Sequence, residues 1–102
     1  MNIIIKTKNL ELTDSLETFI NKRVGLLKKF ISVLGDNVPQ NGKTLAEVFI
    51  EVEKITNHHK KGDIFSAEII VVLPSKKLVA KAHGSNLSEI IVEAKDEMER
   101  EI

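Results

Sequence analysis

The sequence contains no cysteine, no tryptophan and no tyrosine, and has two prolines and five glycines in 102 residues. The missing cysteines exclude a disulfide scaffold and cysteine-ligated zinc, and fit a reducing compartment. The aromatics are four phenylalanines, so a single-strand nucleic-acid platform of stacked rings lacks its material. No apolar run exceeds Ile69-Ile70-Val71-Val72-Leu73, far below the roughly 18 residues a membrane span needs. The opening Met1-Asn2-Ile3 carries neither a basic region nor a cleavage pattern, so no secretory signal is read and a cytoplasmic location is expected. Glycine-rich phosphate loops and nucleophile elbows are missing too. Glu51 and Glu53 share a strand face but have no acid–base partner. His58 and His59 are neighbours on a turn, where adjacent side chains rarely point at one ion. The expectation is a protein that is not an enzyme, with no metal and no cofactor.

What is present is ordinary globular material, 42% hydrophobic and 29% charged, enough for one small domain over 1–102. Formal net charge is zero, but it is unevenly spread. Residues 1–85 carry 13 Lys and Arg against 9 Asp and Glu, a balance of +4, and residues 86–102 carry −4. A mildly basic body ends in an acidic segment.

Asn2 to Lys8 is short and β-branched, a strand. Thr13-Asp14-Ser15 offers a helix N-cap, with Glu17 in the first turn where the dipole favours a carboxylate. Leu16, Phe19, Ile20, Val24, Leu27, Phe30, Ile31 and Leu34 then recur at gaps of three and four. This spacing predicts one long helix, with Gly25 tolerated inside it, ending at Gly35. A loop follows to Lys43. Residues 45–55 alternate as a strand with Ala46, Val48, Ile50 and Val52 inward. A polar turn over 56–63 leads to a strand over 64–73, and Pro74-Ser75-Lys76-Lys77 turns into a third, Leu78 to His83. Asn86 with Glu89 three residues on opens a final helix.

The order β-α-β-β-β-α predicts an α+β, two-layer sandwich: a four-stranded sheet with two helices on one face. Alternation sends Lys6, Lys8, Glu51, Glu68, Lys81 and His83 to the other face, together with Ile4, Phe49, Ile70, Val72 and Val79. A solvated face is normally more polar than this.

Basic residues carry the remaining signal. Lys22, Arg23, Lys28 and Lys29 lie off the apolar stripe of the first helix, and Lys60-Lys61 and Lys76-Lys77 occupy two turns. On pattern alone they read equally as solvated lysines or as a discontinuous surface for phosphates, with Arg23 supplying a directional fork. The candidate RNA contacts are Lys22, Arg23, Lys28, Lys29, Lys76, Lys77, Lys81, His83 and Arg100.

The element order, taken with particular residues, resembles the ribosome hibernation promoting factor and ribosome-associated translation inhibitor family in its short form. The matching stretches are Met1-Asn2-Ile3, Leu10-Glu11-Leu12-Thr13, Arg23, Lys29-Phe30, Val48 to Lys54, Phe65 to Ile69, Leu78-Val79-Ala80, Asn86-Leu87 and Met98-Glu99-Arg100. The resemblance implies a fold similar to double-stranded RNA-binding domains. It also implies a partner, the small ribosomal subunit with its ribosomal RNA, whose messenger and transfer RNA channel is occupied so that translation stops under stress. No membrane or small-molecule partner is expected, and no C-terminal dimerisation domain. Leu26 stands where many relatives have lysine, Ser88 where an aromatic is common, and Glu97 and Glu101 where Lys and Gln are frequent. Two alternatives stay open: a protein-interaction or homodimerising module using the apolar outer sheet face, and a generic structured-RNA-binding domain.

Overall fold

The computed structural model describes residues 2–33, 46–55, 62–74 and 76–102. The elements run β1 (Asn2–Lys8), α1 (Asp14–Val24), α2 (Leu27–Val33), β2 (Glu47–Ile55), β3 (Ile64–Val72), β4 (Lys77–Gly84) and α3 (Leu87–Glu101). The sheet order is β1-β2-β3-β4, with β1 parallel to β2 and the other pairs antiparallel. The expected meander is β2-β3-β4. The parallel β1–β2 pair requires a crossover, which the α1–α2 segment supplies.

Strand alternation decides which face is covered. Val48, Ile50, Val52, Ala67, Ile69, Val71, Ala80 and Ala82 are buried beneath the helices, as the alternation predicts. From the helical layer, Ile20, Val24, Leu27, Ile31, Ile90, Ile91, Ala94 and Met98 complete the core. Each large apolar side chain buried there contributes about 1.5–3 kcal/mol. Helix α3 packs on β3 and β4, α1 on β1 and α3, and α2 on α3.

Both N-caps form. The Leu16 amide donates to Thr13 Oγ1 at 3.2 Å, and the Glu89 amide to Asn86 Oδ1 at 3.0 Å. Asn9 adopts a left-handed φ of 61°, which asparagine tolerates, and its amide donates to the Lys54 carbonyl at 3.4 Å. That bond ties the end of β1 to the end of β2.

One expectation is corrected. The single long helix is two helices broken at Gly25-Leu26. The backbone tightens there: Leu26 N–H donates to the Arg23 carbonyl and Lys28 N–H to the Gly25 carbonyl, both three residues back. The buried stripe runs on across the break through Ile20, Val24, Leu27 and Ile31, and Phe30, expected in the core, stands at its margin, 39% exposed. The loop expected from Gly35 to Lys43 and the turn bearing His58, His59, Lys60 and Lys61 lie outside the described residues.

Candidate nucleic-acid interface

The chain direction of each element fixes where its basic residues end. β1, β2 and β4 run one way along the sheet; α1 returns against β1, β3 against β2, and α3 against β4. The last turn of α1, the β3–β4 turn and the last turn of α3 are therefore all directed toward one end of the domain, with α2 following α1. Lys22 and Arg23 come from α1 and Lys28 and Lys29 from α2. Lys76 and Lys77 come from the β3–β4 turn, and Arg100 from α3. All are exposed. Lys22, Lys29, Lys76 and Lys77 enter no ion pair among the described residues. Their ammonium groups are left for an external anion.

The two arginines are held, each differently. The Arg23 guanidinium lies over the Phe19 ring, 5.5 Å from its centroid. Arg23 makes no ion pair among the described residues. Arg100 donates through Nε to Glu97 Oε2 at 3.1 Å and also through Nη2. This carboxylate holds the guanidinium above its ordinary pKa and occupies donors a phosphate would use.

A groove of about 500 Å³ between α1 and α3 brings Arg23 and Arg100 together. Phe19 and Val92 give it apolar walls, but Glu89, Glu93 and Asp96 line it as well. The acids of α3 thus stand beside the bases of α1, a juxtaposition that only the helix packing reveals.

Lys81 and His83 are placed elsewhere. They project from β4 on the outer sheet face, with Lys81 paired to Glu68 at 3.3 Å and His83 opposite Ser66. One further charged group, Lys95 on α3, is not singled out by periodicity or spacing. It is 8% exposed, and its ammonium contacts Asp96 at 2.6 Å and Glu99 at 2.8 Å. The hydrogen bond to Asp96, then that to Glu99, raises its pKa against the opposing effect of burial. Among the described residues no cluster of His, Cys, Asp and Glu has metal-binding geometry, and no helix is long and apolar enough to cross a membrane.

Fold and surface together define a small α+β domain with a basic end assembled from several elements. The profile of one family, described as Sigma 54 modulation protein / S30EA ribosomal protein, matches residues 3–102, and the chain belongs to that family. The resemblance carried by the residues quoted above is thereby established. No curated protein gives a significant sequence match. Among solved structures, the N-terminal domain of Protein Y from Thermus thermophilus is similar at 24% identity and a TM-score of 0.67, over 99% of this chain and 94% of that one. A ribosomal subunit interface protein from Coxiella burnetii is similar at 13% identity and a TM-score of 0.69, over 99% and 92%. At these identities the likeness concerns the fold.

Proposed function

We propose that this protein is a non-catalytic, cytoplasmic factor that binds the small ribosomal subunit, occupies its messenger and transfer RNA channel, and inhibits translation under stress. What supports this reading is that Lys22, Arg23, Lys28, Lys29, Lys76 and Lys77 are exposed and come from three separate segments directed toward one end of the domain. Spaced side chains of this kind follow the phosphates of folded RNA, and each contact releases counterions. Family membership supports a ribosomal partner, as does the name of the Coxiella protein, which is called a ribosomal subunit interface protein. Within this reading Lys81, His83 and Arg100 are secondary contacts, since two face away from the basic end and the third is engaged by Glu97.

Cosedimentation with purified small subunits at low and moderate salt tests the proposal. Binding that weakens steeply with salt, and is lost when messenger and transfer RNA fill the channel, is the expected result. Comparable binding to naked duplex RNA would instead indicate a generic RNA-binding domain. Absence from the subunit fraction at both salts would overturn the proposal.

A further inference from the structure

The strand register sorts the outer sheet face into rows running across all four strands. Ile4, Phe49, Ile70 and Val79 form one row. The next row is Lys6, Glu51, Glu68 and Lys81, with the two carboxylates directly opposed at its centre. On the other side of the apolar row stand Asn2, Glu47, Val72 and Lys77. Ile4 is 47% exposed and Val79 38%. Lysines occupy the edge strands, and the central strands β2 and β3 carry glutamates and no base over these rows. Between the apolar and charged rows lies a groove of about 230 Å³ lined by Ile4, Lys6, Phe49, Glu51, Glu68 and Ile70. Glu51 makes no ion pair among the described residues and faces Glu68, whose one cation is the exposed Lys81 at 3.3 Å; two glutamates opposed in this way are unfavourable in an isolated sheet.

We infer that this face docks a protein segment of another protein that alternates apolar with lysine or arginine side chains, the apolar ones on the Ile4–Phe49–Ile70–Val79 row and a cation between Glu51 and Glu68. The apolar stem of a long cationic side chain matches the groove, and its head matches the two carboxylates. Charge selects this occupant over the others. A second copy packed about a twofold parallel to the strands sets Glu51 on Glu68 and Lys6 on Lys81. A twofold along the apolar row sets Glu51 on Glu47 and Lys81 on Lys77. Both stack like charge on like. RNA would place phosphates over the central glutamates. The face meets the basic end at Lys77 and carries Lys81 and His83, but Glu51, Glu68 and the apolar row take no part in the proposed function, so the two readings are tested separately.

A short synthetic peptide alternating Lys and Val, with an alternating Glu and Val control, titrated into the isotope-labelled protein tests it. The expected result is that amide signals of Ile4, Phe49, Ile70 and Val79 shift with the cationic peptide alone. Glu51→Gln with Glu68→Gln, which removes a repulsion and one exposed ion pair to Lys81 and so preserves the fold, should weaken that binding about tenfold. Arg23→Ala should leave it unchanged. Shifts confined to other surfaces, binding indifferent to the glutamine changes, concentration-dependent shifts of these signals without peptide, or equal shifts with duplex RNA would each overturn the inference.

Discussion

The Arg23 guanidinium rests on the Phe19 ring, 5.5 Å from its centroid, one helical turn apart on α1. An arginine braced this way loses less freedom when it grips a phosphate than a free lysine does. Under the proposed function Arg23→Ala should weaken small-subunit binding about tenfold and lower the salt slope by about one. Phe19→Leu removes the platform but no charge, so it should weaken binding by a smaller factor, about threefold, with the slope unchanged. Equal slopes for wild type and Arg23→Ala would show that Arg23 makes no phosphate contact.

Gly25 and Asn21 set a second expectation. A Cβ built on Gly25 would stand 2.5 Å from the Asn21 carbonyl oxygen, a backbone atom that cannot turn aside. Propensity alone predicts that alanine stabilises a helix interior by about 1 kcal/mol. At this break the clash should reverse the sign, and Gly25→Ala should cost about 1–2 kcal/mol in urea denaturation. A stabilised variant would mean that the α1–α2 break is not held by close backbone approach.

This reversal marks the boundary of what the sequence discloses. Period-two alternation placed Ala46, Val48, Ile50 and Val52 correctly because strand burial depends on local order along one chain segment. Asn86 was legible as a cap, and the cap of α1 as one of Thr13, Asp14 and Ser15, because a cap bonds within its own first turn. The helix break was not legible, since gaps of three and four persist across it, and Phe30 was misplaced with it. Nor were the partners of the basic residues. That Arg23 shares a groove with Glu93 and Asp96, or that Glu51 faces Glu68, depends on packing and register between distant segments.

Lys95 gives a prediction in pH. Hydrogen bonds to Asp96 and Glu99 raise its folded pKa above the ordinary 10.5. A raised base stabilises the fold fully below its unfolded pKa, and that contribution is lost as pH climbs through the folded value. The stability gap between wild type and Lys95→Met should therefore be flat from about pH 8 to 10 and shift against wild type above that. Denaturant unfolding over this range measures it. A gap that stays constant through strongly alkaline pH would mean the two contacts do not favour the charged amine.

The last prediction concerns Glu97, which engages Arg100 through two donors at the basic end. A phosphate approaching Arg100 must displace this carboxylate and also meets its charge, within the roughly 8 Å over which salt leaves such repulsion unscreened. Glu97→Gln removes the charge and leaves only a weaker neutral acceptor for Arg100, while keeping the side-chain shape. It should tighten small-subunit binding about threefold, mainly through faster association. Adding Arg100→Ala should cancel the gain, because the gain depends on the released guanidinium. Glu97→Lys with Glu101→Lys should go further, tightening binding and steepening its salt dependence, since each change replaces a repelled charge with one that releases counterions. Filter binding to small subunits across a salt series separates these outcomes. If the lysine pair binds no better than wild type, the acidic end of α3 makes favourable contacts of its own, and this helix faces a basic partner rather than RNA.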